Sequence, residues 1–132
     1  MLRYLALLLP VLASCGVFAP DDQTFRLQTD HRQYDLGAVV RVTITNVSDR
    51  PQPYSACTQF IERRIGGWWA IHPASPGKVG CVDVLFQLSP GDSALFPLQL
   101  PSAIEPGEYR WRLPESADAI TNAFQVSGPP SR

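Results

Sequence analysis

From Gln23 onward apolar and polar residues alternate with a period of two, and no stretch carries a helical period. Phe25, Leu27 and Thr29 alternate with Thr24, Arg26 and Gln28. Val40, Val42 and Ile44 alternate with Arg41, Thr43 and Thr45, the pattern of a strand buried on one face. Asp35-Leu36-Gly37 reads as a turn between these runs, and residues 46–51 end the second with turn-forming side chains. Residues 57–65 and 68–72 flank Gly66-Gly67, a pair suited to a tight hairpin turn. That register sets Ile65 opposite Trp68 and Arg64 opposite Trp69. Successive side chains on a strand point to opposite faces, so one of the two tryptophans is expected at least partly exposed.

Four further runs follow, at residues 82–88, 93–100, 108–113 and 122–127. Pro97 lies inside the second and predicts an edge strand or a bulge. In the third, Tyr109, Trp111 and Leu113 share one face, and Glu108, Arg110 and Arg112 the other. Pro76-Gly77, Pro90-Gly91 and Pro106-Gly107 each have the residue order of a type II turn, with glycine at the position of positive φ. About seven to nine short strands, with turns roughly every eight to twelve residues, predict an all-β antiparallel sandwich. Parallel pairing is not expected, because no crossover helix is available.

Ahead of the strands the pattern changes. Met1-Leu2-Arg3 is a short basic start, and residues 4–12 are apolar with one proline, Pro10. A bilayer core needs about 20 apolar residues, so this run is too short to span one. It fits the apolar centre of a secretory signal peptide. Leu12-Ala13-Ser14-Cys15 then resembles a bacterial lipobox, in which small residues precede a cysteine that is acylated and becomes the new N-terminus. The resemblance implies removal of residues 1–14, lipidation (palmitate or a similar acyl chain) at Cys15, and a lipoprotein held on the membrane of the bacterial cell envelope. Gly16 after the cysteine implies the outer membrane where the organism has one. An ordinary signal peptide with an unrelated cysteine near its end is the other reading. Acyl chains contribute about 0.8 kcal/mol per buried CH₂, and two already make a stable anchor. Residues 15–22 then read as the lipidated N-terminus and a short tether, residues 16–22 reaching at most about 25 Å. Residues 23–127 form the domain and 128–132 an unstructured tail.

The chain of 132 residues, 45% hydrophobic and 17% charged, is sized for one domain with one core. Aromatic residues at 10% exclude a globally disordered chain. A net charge of -1 implies no positive face, so nucleic acid is not expected as a partner.

Glu105-Pro106-Gly107-Glu108-Tyr109 is similar to the tyrosine corner of immunoglobulin-like folds. The resemblance implies that the Tyr109 hydroxyl bonds back to the backbone. Tyr34, Gly37, Thr43-Ile44-Thr45-Asn46, Pro90-Gly91 and Pro106-Gly107-Glu108-Tyr109 also follow the order of bacterial immunoglobulin-like domains related to intracellular proteinase inhibitors. That resemblance covers residues 23–127 and implies an immunoglobulin-like β-sandwich with Greek-key connections. Antibody domains place a cysteine two residues after the corner tyrosine. Trp111 stands there, so their inter-sheet disulfide is not implied.

With Cys15 acylated, Cys57 and Cys81 remain. Pairing them is expected in an exported protein, and the bridge would stabilise the fold by about 3 kcal/mol. The rival reading is a metal site of Cys57, Cys81 and His72, with or without His31, but no C-x-x-C or H-x-x-H spacing supports it. No cofactor or metal is expected. Neither a nucleophile elbow nor a glycine-rich phosphate loop occurs, and the carboxylates are scattered singly. His72, before Pro73, reads as a partly exposed loop residue. No enzyme activity is expected.

Trp69 and Arg64 make the candidate binding patch, suited to a protein partner or to a sugar. The competing structural reading puts Trp68 in the core and Trp69 at its rim, with Arg64 stacked across the strands on Trp69. Three functions compete. The first is a non-catalytic interaction or structural module of the envelope with a protein partner. The second, by family analogy, is a protease inhibitor presenting residues 72–80. The third is a small carbohydrate-binding module using Trp69.

Overall fold

The computed structural model describes residues 23–55, 58–78, 86–113 and 119–128. Residues 1–22, where the expected signal segment, Cys15 and the expected tether fall, lie outside the described residues, as do Cys57, Cys81 and residues 129–132. The described chain is all-β. Its strands are β1 (Phe25–Thr29), β2 (Gln33–Asp35), β3 (Val39–Asn46), β4 (Gln52–Tyr54), β5 (Thr58–Ile65), β6 (Trp68–Ile71), β7 (Gly77–Lys78), β8 (Phe86–Leu88), β9 (Ser93–Gln99), β10 (Gly107–Arg112) and β11 (Phe124–Ser127). Every run of alternating residues named above holds one of them. The additional strands β2, β4 and β7, of three, three and two residues, are too short to show a period of two.

One sheet has the order β1-β3-β9, and a larger one the order β2-β11-β10-β5-β6 with β7 also on β5. β4 and β8 pair separately. The two larger sheets share one core. Val40, Val42, Ile44 and Leu98 of the first pack in the same cluster as Ile61, Tyr109, Trp111 and Phe124 of the second. The Phe96 and Trp111 rings meet across it with centroids 4.5 Å apart. Large apolar side chains buried this way contribute about 1.5–3 kcal/mol each, which is what holds two short-stranded sheets together. Asn46, fully buried at the end of β3, donates through Nδ2 to the carbonyls of Arg50 and Leu88 and so fastens β8 to the turn after β3.

Three local expectations meet the structure differently. Pro97 lies on β9, an edge strand opposite β3, where its missing N–H costs no ladder bond. Gly77 and Gly91 have φ of 62° and 80°, as a type II turn demands. Gly107 does not: it opens β10 opposite Val126. Its lack of a side chain serves a close approach instead, because a Cβ there would sit 3.1 Å from Arg63 Nε and 3.4 Å from the Tyr109 ring.

One strand pair is parallel, contrary to expectation: β2 lies beside β11 with Tyr34 next to Val126. No helix is needed to connect them, because the whole domain between residues 35 and 124 is the connection.

The pairing also fixes which features share an end of the molecule. β2 ends at Asp35, just before β3 begins, and Ser127 lies beside Asp35. Val126 is opposite Gly107, and Tyr109 is opposite Arg63, close to the Gly66-Gly67 turn. That turn is therefore at the end where β3 begins. Phe25 pairs with Asn46, at the end where β3 finishes. The start of the domain and the β5–β6 hairpin tip are at opposite ends.

Candidate functional site

The β5–β6 hairpin has the register read from the sequence: Ile65 opposite Trp68 and Arg64 opposite Trp69. Gly66 and Gly67 have φ of 55° and 87°, positive at both central positions as the tightest hairpin turn requires. The ladder with β10 runs from Arg112–Phe60 to Tyr109–Arg63. Residues 64–69 thus reach beyond the ladder with β10.

This overreach settles the two tryptophans. Trp68 is on the face of the sheet that carries the core, but so far along the hairpin that none of the described residues covers it; it is 80% exposed. The reading that placed Trp68 in the core is therefore corrected. Ile65, its cross-strand neighbour, is 57% exposed. Leu36 and Val39, at the β2–β3 turn of the same end, are each 39% exposed.

Trp69 faces the outer side of the sheet and is half-buried. The guanidinium of Arg110 lies 4.4 Å from its ring centroid and that of Arg64 lies 6.0 Å away. Arg64 and Trp69 are thus brought together, with Arg110 as the closer cation. Contacts of this kind contribute about 0.5–1 kcal/mol at exposed sites. Arg64 Nη1 is also 3.6 Å from Glu108 Oε1.

Beneath Arg110 lies Glu62, only 4% exposed although it points away from the core. Arg110 Nε donates to its Oε2. Arg112 Nε stands 2.9 Å from Oε1 but is not aimed at it as a hydrogen bond, so that contact is an ion pair. Glu62 and Arg110 are directly opposite on β5 and β10. The outer face is thus a knitted array in which three arginines are matched against Glu62 and Glu108. Its charges are engaged with one another, while the apolar tip is open.

A second cluster braces the hairpin from the core side. Tyr109 is fully buried and its hydroxyl donates to the Glu105 carbonyl at 2.6 Å. His72 is 9% exposed, not the partly exposed loop residue that its place before Pro73 suggested. Its Nδ1 accepts from the Ala74 N–H at 3.0 Å, so the ring proton is on Nε2, which donates to Glu105 Oε2 at 2.6 Å. Arg63 Nη1 is 3.7 Å from the other oxygen, and Arg63 Nη2 donates to the Pro106 carbonyl at 3.2 Å. The His72 bond, the carboxylate's own backbone N–H and the Arg63 charge together hold the Glu105 carboxyl below its ordinary value, against the weaker opposing effect of burial.

The sign of the resulting pH effect follows by linkage. A carboxyl whose value is depressed by folding contributes stability that is complete above its unfolded value, about 4.3, and is lost as pH falls through the folded one. Glu105→Gln is expected to flatten the acid limb of the stability profile below about pH 4.5. Urea midpoints across that range would check it; parallel limbs in the two proteins would refute it.

Both His72 nitrogens are occupied, and neither by a hydroxyl. The single Ser75 Oγ proton is shared between the His72 and Ile61 carbonyls, 2.7 and 3.1 Å away, and the oxygen accepts from the Ile61 N–H. The described part of residues 72–80 is tied to β5, since Gly77 and Lys78 also pair with Gln59 and Thr58. Among the described residues no three His, Cys, Asp or Glu side chains gather as a metal site. His31 lies instead against Asp30, Nδ1 to Oδ2 3.2 Å. Two open depressions of about 340 and 280 Å³ adjoin Arg32. Neither is lined by Trp68 or Trp69.

Sequence reasoning missed Glu62 and Arg110. The alternation placed Arg110 outward beside Glu108, but only the β5–β10 pairing shows what it covers. No protein-family model matches the chain, and no curated protein is significantly similar to it.

Proposed function

We propose that this chain is a membrane-anchored, non-catalytic immunoglobulin-like lipoprotein of the bacterial cell envelope, acting as a protein-interaction module through its β5–β6 hairpin. The observation that carries the contact surface is Trp68, 80% exposed at the start of β6, beside a turn of only two residues. A large aromatic held on a short, braced hairpin loses little conformational freedom when it is buried by a partner, and aromatic residues dominate interface energetics.

The anchor rests on the lipobox-like Leu12-Ala13-Ser14-Cys15. A chain moored through Cys15 enters the domain at the Phe25 end, and the hairpin is at the other. Trp68 and Ile65 would then be presented away from the bilayer, toward a partner in the envelope. The Tyr109–Glu105 bond supports the immunoglobulin-like assignment, and with it Greek-key connections.

The other readings draw less support. A sugar platform on Trp69 has Arg110 already stacked on the ring. An inhibitory loop at 72–80 begins with a buried histidine and returns to pair with β5.

Intact-mass measurement of the protein from native membranes tests the anchored state. The expected species begins at Cys15, carries acyl chains there, and is two hydrogens lighter from a Cys57–Cys81 bridge. An unmodified full-length chain in the soluble fraction would overturn it.

A further inference from the structure

We propose that the free edge of β6 pairs antiparallel with the same edge of a second copy of this chain, about a twofold axis through Ala70. Among the described residues β6 ends its sheet and is paired only with β5. In a two-residue hairpin the residues closing the turn exchange both backbone bonds, and such pairs alternate with unbonded ones. Ile65–Trp68 and Arg63–Ala70 are then the bonded pairs, and the His72 N–H to Ile61 carbonyl bond of 2.8 Å continues that alternation. The N–H and C=O groups of Trp69 and Ile71 consequently point away from β5, along the open edge.

Exposed edges are ordinarily protected by charge, proline, a bulge or a cover. The β9 edge has Pro97, and the β2 edge has Asp35. Leu27 on β1 makes a further bridge to Thr121. Among the described residues β6 has none of these devices. Its sequence is Trp-Trp-Ala-Ile, without a charge, and Ile71 is 57% exposed.

The same four residues are complementary to themselves. With Ala70 opposite Ala70 of the second copy, Trp69 lies opposite Ile71 and Ile71 opposite Trp69. Those are the residues whose backbone groups face outward, so four N–H···O bonds form. Both side-chain pairs are aromatic against β-branched, a favourable cross-strand combination, and the smallest side chain is on the axis. Charges also match. Glu62 is opposite Ile71 within the chain and Arg64 opposite Trp69. Each apolar pair across the axis is therefore flanked by Arg64 of one copy and Glu62 of the other, whereas parallel pairing would set like beside like. Pro73 stops the pairing just past His72.

This inference shares the hairpin with the function proposed above, but its test needs no second protein and no lipid. The full chain, purified in detergent, is expected to sediment as a dimer. Ala70→Cys is expected to give a disulfide-linked dimer above the wild-type background, because directly opposed Cβ atoms are about 4.5–5.5 Å apart. Leu95→Cys, 64% exposed on β9, is the control that does not. Ile71→Pro removes an outward N–H while sparing the bonds to β5, and is expected to weaken the dimer at least about tenfold with unchanged circular dichroism. Ile71→Lys, which puts a charge on each side of the axis, serves if the proline variant does not fold. A monomer overturns the proposal, as do equal cross-linking at positions 70 and 95, a dimer indifferent to both Ile71 variants, or a monomer that takes up an added foreign strand at β6.

Discussion

Arg110→Ala is expected to destabilise the domain by about 3 kcal/mol, the low end of the range for stripping one partner from a buried ion pair. Glu62 is 4% exposed, and its two cations are Arg110 and Arg112. Removing Arg110 leaves a desolvated carboxylate with the poorly aimed Arg112 and opens the ring of Trp69. The reverse change is milder. In Glu62→Gln the side chains of Arg110 and Arg112, 21% and 37% exposed, can turn to water, and the loss is expected to be about 1–2 kcal/mol. The test is a double-mutant cycle read by urea denaturation. Arg110→Ala should cost clearly less when Glu62 is already Gln. Additive losses would show that Arg110 acts through packing alone, and that the charge account of this face is wrong.

Trp111→Ala is expected to cost about 3–5 kcal/mol, the range for deleting a buried aromatic side chain. The ring is fully buried against Phe96 between the sheets. Its Nε1 has no hydrogen-bond partner among the described residues. The loss is therefore one of apolar burial and cavity formation rather than of a bond. Trp68→Ala removes the same atoms from a site 80% exposed, and is expected to change stability by no more than about 0.5 kcal/mol. The contrast can be measured from the two unfolding midpoints. A costly Trp68→Ala would mean that the tip is packed, and would remove it as an open contact surface.

The strands, the hairpin register and the core side of β10 were legible because each depends on local alternation. Val40, Val42 and Ile44 declare their face within six residues, and Gly66-Gly67 fixes what lies opposite Trp68 and Trp69. What the sequence concealed depends on strands distant along the chain becoming neighbours. Glu62 and Arg110 are 48 residues apart, and nothing local announces that they meet. His72 is buried because Glu105, 33 residues on, comes back beside it. β2 lies parallel to β11 only because the chain returns around the whole domain. The choice between Trp68 and Trp69 needed one further quantity, how far the hairpin projects past β10. The binding patch was accordingly half legible: Trp69 and Arg64 do meet, but the open aromatic surface belongs to Trp68.

The central claim is that the hairpin tip is the working surface of a protein that acts by contact. Site-specific photocross-linking in native envelopes tests it most directly, with the probe at Ile65, on the tip but off the open edge of β6, and a matched probe at Leu95 on the other sheet. The account predicts a discrete adduct between the position 65 probe and a protein other than this chain, absent at position 95 and lost with Trp68→Ala. Adducts of equal yield at both positions, or none at position 65 in membranes that contain the anchored protein, would contradict it.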